Sequence, residues 1–433
     1  ECSMLVDQLM NQASLDAFIT SLSGVNTPKN IPPETVHKLL LDRNSYRARN
    51  PDLSNHSNDD LFLQWFNVGC REKKRRFRPN FCQIKDQKSS DKGLITYLSS
   101  AERLVDGTFM YRTKYASMRD NRKSLFYTTG ASIDKLLRSI FMAKEIVFSR
   151  PSEADPLAYY LILLAKCLKV TITLDFDDLV LPEVFSESGL GRTRFSAKTC
   201  TDHEWVLGAR SSFLSYADQI CCSTEVIQNK FSHLSLPTKI FHNKLPASHS
   251  SSYRAVKERL YSVKERKLNI LYMSGTATHA KDFEICQGPL AKLAQNFPDS
   301  FNLIFLGQVQ LAIRSMMEYF GVNVSYVQRL RFEDMHKFVA QQDICLVPLE
   351  NTIFNNAKSN IKFIESGIHG VPVIASPVDQ FKRAIRHDIN GWLCDTPGEW
   401  YEQLATLVNN RRNLVQVSLA AYKSAVKNYT FEQ

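Results

Sequence analysis

Three charged side chains and one short loop carry most of the chemistry legible in this chain. Lys358, Lys362 and Glu365 recur at i, i+4 and i+7, which puts them on one face if a single helix carries all three. Two ammoniums beside one carboxylate suit a ligand that bears both phosphates and sugar hydroxyls. Glu365 stands just before a Gly367/Gly370 break, and a buried strand is predicted over 371–375. Open α/β sheets take ligands in the crevice at the carboxyl ends of their strands, and this carboxylate falls there. Upstream, the apolar run 268–273 delivers Ser274, Gly275 and Thr276, with His279 and then Lys281 at the start of the next helix. Small residues let backbone N–H groups approach a phosphate, and a helix N-terminus plus a lysine adds positive potential. His279 either touches such a ligand or caps the helix.

The first half of the chain offers a second set of charges. Asp175, Asp177 and Asp178 follow the buried run 170–174, and carboxylates at the carboxyl end of a strand face a ligand crevice. One reading is a pair of aspartates on a divalent cation. The other, favoured by the doubly wound pattern around them, is a set of metal-free carboxylates that line the crevice or shape the turn. Arg112 and Arg150 close successive strand regions and present guanidinium groups to a ligand, with a surface salt bridge as the plain alternative. The string Gly189-Leu190-Gly191 lacks a third glycine and follows no strand, so it is not a dinucleotide fingerprint.

The elements that must hold these groups show in the apolar spacing. Residues 1–90 read as helices: Leu5, Val6, Leu9 and Met10 share a face, Pro32-Pro33 opens a second helix, and Leu61, Phe62, Trp65 and Phe66 form a third face closed by Gly69. From Gly93 the pattern alternates between strands and helices. Strands are expected at 94–98, 125–128, 146–148, 170–174 and 219–222, with helices near Met118 and over 133–143 and 157–168. A second series follows at 268–273, 302–306, 323–327, 344–347, 371–375 and 391–393, with a last helix over 415–428. Such βαβ periodicity implies a mostly parallel sheet. Residues 246–267 are Ser-rich and then charged, as in a linker. The expected organisation is a helical extension over 1–90, an α/β domain over 91–245 and a second over 246–433.

Composition narrows the partners. At 433 residues, with 44% hydrophobic and 23% charged residues, the chain can bury more than one core. Ten cysteines include no CxxC pair, which argues against a zinc site or a disulfide framework and for reduced thiols in a cytoplasm. The net charge of +10 leaves nucleic acid, anionic lipid and phosphorylated substrates open, and no nucleic-acid module accompanies it. The longest apolar run, 157–165, is too short to span a bilayer. The chain opens on Glu1-Cys2, so it is read as a piece of a longer protein with further domains.

The order Glu365, small-residue break, GVPVIAS and then NGWL resembles the C-terminal domain of group 1 glycosyltransferases. The resemblance runs over about 93–433 and is strongest over 268–395. It implies an α/β fold of two Rossmann-like domains facing a cleft (GT-B), here preceded by a small helical extension. It also implies a donor side at Gly275, Thr276, His279, Lys281, Lys358, Ser359, Lys362 and Glu365, with Lys281, Lys358 and Glu365 serving catalysis. Glu365 takes the family position that accepts from the donor ribose hydroxyls. Two positions depart from the pattern: Thr276 stands where the family has an arginine, and Ala357 where it has the first of two paired glutamates. Lys358 is the candidate replacement for the missing cation. Arg112, Arg150, Asp175, Asp177 and Asp178 fall on the acceptor side. The string YRARNPDL through CREKKRRFRP also resembles a helical module found beside bacterial polysaccharide glycosyltransferases.

The expected activity is transfer of a hexose or deoxyhexose from a nucleotide sugar to a growing bacterial surface glycan (O-antigen, capsule or S-layer type). Retention of anomeric configuration is implied, with no metal and no cofactor beyond the nucleotide-sugar co-substrate. The rival is a non-catalytic glycan- or nucleotide-binding scaffold module of a larger synthase. Glycan acceptors of this kind are often lipid-linked, which suggests a cytoplasmic enzyme peripheral on the inner face of the membrane. The run Lys73-Lys74-Arg75-Arg76-Phe77-Arg78 is the segment expected to meet an anionic surface, at about 1 kcal/mol per basic residue. Replacing its five charges with Ser should reduce co-sedimentation with anionic liposomes, and raised salt should do the same; equal sedimentation would leave the run an ordinary solvated surface.

Overall fold

The computed structural model describes residues 47, 51–53, 55–57, 94–99, 107–119, 140, 143–151, 158, 161–162, 165, 170–179, 212–263, 266–275 and 280–432. Most of the expected helical extension, the basic run 73–78, the expected strand 125–128, Thr276 and His279 lie outside the described residues. The chain divides into two compact units. One comprises residues 1–176, 205–221 and 234–239; the other comprises 177–204, 222–233 and 240–433.

In the first unit, β1 (Leu94–Ser99), β2 (Ala143–Ser149) and β3 (Thr171–Phe176) run parallel, followed by β4 (Gln219–Cys222) and β5 (Thr238–Ile240). Sheet order equals chain order. Ile146, Phe148, Ile172, Leu174 and Phe176 are all at 0% exposure, as near-continuous apolar strands of a covered parallel sheet should be. Ala158, Leu161, Ile162 and Ala165 are helical and fully buried, the i, i+3, i+4, i+7 face expected of that segment. Phe109–Lys114 winds as a π-helix into α1 (Tyr115–Arg119), and carries Tyr111 and Arg112 inside.

The second unit begins its regular structure with α2 (Glu225–Lys230), β6 (Leu245–Pro246) and α3 (Tyr253–Ser262). The segment expected as a linker is therefore largely helix, with Ser252 capping α3 and Val256 and Leu260 buried beneath it. Then come β7 (Leu268–Ser274), α4 (Ala280–Asn296), β8 (Phe301–Gly307), α5 (Leu311–Tyr319), β9 (Val324–Val327), α6 (Phe332–Val339) and β10 (Ile344–Val347). After these follow α7 (Ile353–Ala357), α8 (Ile361–Gly367), β11 (Val373–Ala375), α9 (Asp379–Ala384), β12 (Trp392–Leu393), α10 (Pro397–Asn409) and α11 (Arg411–Tyr429). The sheet order is β12-β11-β10-β7-β8-β9, parallel throughout. Side chains alternate between two apolar layers. Ile270 and Tyr272 of β7 join Phe283, Leu290, Trp400 and Leu404 on one face. Leu271 and Met273 join Phe363, Val373 and Phe381 on the other. A last short strand, β13 (Thr430–Phe431), pairs with β6.

Beneath α8 lies a buried imidazole pair. His369 Nδ1 meets Ser251 Oγ at 2.8 Å, and its Nε2 meets His336 Nδ1 at 3.0 Å. Burial, helped by the Arg259 charge and His249, pushes His369 down to about 4. Burial also holds His336 well below the usual imidazole range, with His369, His249 and Lys362 adding to it. A folded value below the unfolded one means that the unfolded chain binds the proton first. Stability should therefore be full above pH 6.5 and fall as pH drops from there towards about 4. For His369 alone the loss by pH 5 is about 2 kcal/mol. Urea unfolding at pH 7 and pH 5 should show this loss, and His369→Gln should flatten it; an unchanged pH slope in that variant would remove the assignment.

Candidate functional site

In the second unit the strand order reverses between β10 and β7, whose chain-order partners lie on opposite sides. The carboxyl ends at such a switch point form the ligand crevice of open α/β sheets. β7 ends at Ser274, Gly275 is exposed, and half-buried Lys281 sits in the first turn of α4. Beside it, Gly307 closes β8 with φ +100°, and a Cβ there would lie 2.1 Å from the Ser274 carbonyl oxygen. Only glycine lets the two strand ends run this close.

The lysines and the glutamate do not share one helix, contrary to the spacing argument. α7, capped by Thr352 at 3.1 Å from the Asn355 amide, stops at Ala357. Lys358 is extended at φ −64°, ψ 141°, and its Nζ lies 4.5 Å from the Phe354 ring centroid. A new helix, α8, begins at Ile361, so only Lys362 and Glu365 share a face, with Nζ and Oε2 3.4 Å apart. The Lys-Ser-Asn step breaks the i→i+4 ladder and resets the phase that the periodicity assumed. Glu365 is 4% exposed. Ser359 Oγ accepts from Asn243 Nδ2 at 3.0 Å, and the buried Ala357 gives its carbonyl to Thr224 Oγ1 at 2.9 Å.

Several residues at this edge were missed by sequence reasoning. Asp282, at 0% exposure, accepts from the Glu350 amide at 3.1 Å and from Asn355 Nδ2 at 2.9 Å. Asn356 Oδ1 accepts from the Asp379 amide at 3.1 Å, and Ser376 Oγ from the Leu349 amide at 2.9 Å. These ties join the loops after β7, β10 and β11. The one available signal was an acidic residue directly after Lys281 in a helix's first turn, where the dipole favours it.

In the first unit, Arg112 and Asp175 find each other. Arg112 Nε donates to Asp175 Oδ2 at 2.9 Å and its Nη2 to Oδ1 at 2.5 Å, with side chains 1% and 2% exposed. A second contact runs from Arg112 Nη2 to Cys221 Sγ at 3.7 Å, and burial pushes that thiol far up. Arg112 and Asp175, two of the five residues expected on the acceptor side, are thus engaged in a bidentate pair away from solvent. Half-buried Arg150 follows β2 with φ +47°, and its amide donates to the Asp175 carbonyl at 3.1 Å. In the second unit, Asp177 is buried, its carbonyl accepting from Ser223 Oγ at 3.1 Å, and Asp178 is half-buried. Among the described residues no group of three or more His, Cys, Asp or Glu side chains is placed to hold a metal ion. The described cysteines Cys221, Cys222, Cys286, Cys345 and Cys394 are buried free thiols. No described helix is long and apolar enough to cross a membrane.

Residues 267–410 match a family model described as glycosyl transferases, group 1. No curated protein matches the chain in sequence. Among solved structures, Alr3699/HepE of Anabaena in complex with UDP and glucose is similar at TM-score 0.52 and 13% identity, over 78% of this chain and 96% of that one. WaaG, a glycosyltransferase involved in lipopolysaccharide biosynthesis, is similar at TM-score 0.53 and 13% identity, over 77% and 95%. Sucrose-phosphate synthase from Thermosynechococcus elongatus is similar at TM-score 0.53 and 11% identity, over 78% and 95%. The chain has the α/β fold with parallel sheets that these GT-B proteins share.

The Arg112–Asp175 pair carries its own test. Removing one partner of a buried ion pair leaves an uncompensated charge and costs about 3–5 kcal/mol. Arg112→Met and Asp175→Ala should each lower the unfolding midpoint strongly, while Arg112→Met with Asp175→Leu should recover much of the loss. Single variants as stable as the native chain would mean that the pair is solvated.

Proposed function

We propose that this protein is a glycosyltransferase that moves a hexose or deoxyhexose from a nucleotide sugar to a growing bacterial surface glycan, with retention of configuration. The observation that carries this reading is the edge at the switch point. Gly275, Lys281, Lys358 and the Lys362–Glu365 pair all stand on strand-end loops and helices of one sheet. All of them lie within the residues that match the group 1 family model.

The chemistry follows from these groups. The donor diphosphate lies against the Gly275 backbone, with Lys281 and the N-terminal end of α4 supplying positive potential. Lys358 stands in for the cation that Thr276 does not provide. Glu365 accepts from the ribose hydroxyls, and Lys362 at 3.4 Å orients that carboxylate. Departure of the nucleoside diphosphate is the charge-building step, and fixed cations with a helix dipole stabilise it without reorganising. No divalent cation is required in this scheme. Arg150 and Asp178 stand on the acceptor side, whereas the Arg112–Asp175 pair positions the strand ends that carry it. The acceptor is a glycan, lipid-linked in the bacterial pathway class, which places the enzyme in the cytoplasm against the inner membrane face. Because Alr3699/HepE is a complex with UDP and glucose, UDP-glucose is the first donor to try.

A second reading has one observation behind it. Ala357 is fully buried where the resemblance expects a sugar-facing glutamate, which suits a binding module without turnover. One experiment separates the two. Lys281→Ala and Glu365→Ala should each weaken nucleoside diphosphate binding by about 1.5–3 kcal/mol and abolish most transfer. Transfer should persist in EDTA. Binding without any transfer to any glycan favours the scaffold. Full loss in EDTA, restored by manganese, overturns the metal-free mechanism, and wild-type affinity in both variants displaces the donor site.

A further inference from the structure

We propose that Asp282 is a positioning residue, one that locks the first turn of α4, which carries Lys281, to the segment leading to Lys358. The inference rests on the donor-site reading above and adds to it the part that sets the distance between the two cation-bearing segments.

The sheet cannot set that distance by itself. The β10–β7 ladder pairs Ile344 with Ile270, Cys345 with Leu271 and Leu346 with Tyr272, and ends there. Ser274, Gly275 and the start of α4 lie beyond it, as do residues 348–352 on the other side. Asp282 bridges this gap. Its Oδ1 accepts from the Glu350 amide, 68 residues away, and from Asn355 Nδ2, 73 residues away. Asn355 also donates to the Glu350 carbonyl at 3.0 Å, closing a small ring across the two loops. Lys281 is the residue before this carboxylate, and Lys358 is three residues after this amide.

The arrangement costs stability that an apolar contact would not. A carboxylate and an amide, both at 0% exposure, must be desolvated, and Asn355 Oδ1 is left without a partner. A buried polar group of this kind gives less net stability than a well-packed apolar pair. What it does give is direction: an oxygen that accepts two N–H groups from one loop fixes that loop's height relative to α4. The α4 N-terminus favours a carboxylate in its first turn. A shift of about 1 Å between two phosphate-contacting loops is enough to lose productive geometry.

The test compares UDP with uridine, by titration monitored with NMR, on the native full chain and three variants. Asp282→Ala and Asn355→Ala each remove the tie, from opposite loops. Asp282→Asn keeps one acceptor oxygen. The expected result is a loss of UDP affinity of about tenfold or more in both alanine variants, uridine affinity unchanged, and recovery to within a few-fold in Asp282→Asn. With UDP-glucose, KM should rise in the same order. If Asp282→Ala does not fold, Asn355→Ala carries the comparison. Equal losses for UDP and uridine, or a fall in melting temperature with UDP affinity intact, would make the tie merely structural and overturn the inference. A native chain that binds UDP while both alanine variants bind it equally sinks this inference alone. A native chain that binds no nucleoside diphosphate sinks the donor-site reading and this one with it.

Discussion

Six parallel strands covered on both faces are the constraint from which the second unit follows. Parallel neighbours cannot be joined by a tight turn, so each connection must cross back over the sheet, here as a helix. Every strand-to-helix loop then leaves the sheet at one edge and every helix-to-strand loop at the other. The reversal of strand order between β10 and β7 sends neighbouring helices to opposite faces and leaves a crevice between the loops. Gly275, Lys281, Lys358 and Glu365 are brought to one edge by this geometry alone, although the chain separates them widely.

A buried carboxylate ties the chain together at each edge of that sheet, and the two do different work. At the amino edge, Asp343 at 0% exposure takes both Arg266 Nη atoms at 2.7 Å and the Asn269 amide at 2.8 Å. Arg259 adds a longer contact at 3.5 Å and spends Nη2 on the Gly370 carbonyl at 2.7 Å, which ties α3 to the end of α8. Burial lowers Arg259 to about 10, the cost of placing a guanidinium there, and Asp343 offsets it. At the carboxyl edge Asp282 accepts from the Glu350 amide and from Asn355 Nδ2. One carboxylate takes guanidinium groups; the other ties the start of α4 to the segment after β10.

The same contrast separates the two units. In the first, Arg112 and Asp175 spend their full hydrogen-bonding geometry on each other, and such a pair fixes where β3 ends. In the second, Lys281 and Lys358 are half-buried, Glu365 is buried beside Lys362, and neutral side chains tie the backbone around them: Asn243 on Ser359, Thr224 on Ala357, Asn356 on the start of α9. Neutral donors cost less to desolvate than charges and do not compete with a phosphate for the lysines. The proposed donor site is thus framed largely by neutral polar groups, with Asp282 the charged exception.

The amino-acid sequence by itself determined the α/β alternation, because periodicity and apolar runs are local. The strands over 219–222 and 344–347 and the buried helix face at Ala158, Leu161, Ile162 and Ala165 are read from neighbours a few residues apart. The place of Lys281 at a helix start was legible for the same reason, and that of Glu365 in a short helix before the glycine break likewise. The tertiary structure decided what those rules cannot reach. Helical spacing assigned Lys358 to the helix of Glu365, but the backbone leaves the helix between Ala357 and Ile361, and spacing has no meaning across that break. Arg112 and Asp175 stand 63 residues apart, and Asp282 and Asn355 stand 73 apart. Nothing local marks such partners. They are chosen by which strand ends the sheet order places side by side, and by the cost of burying a charge that has not found one.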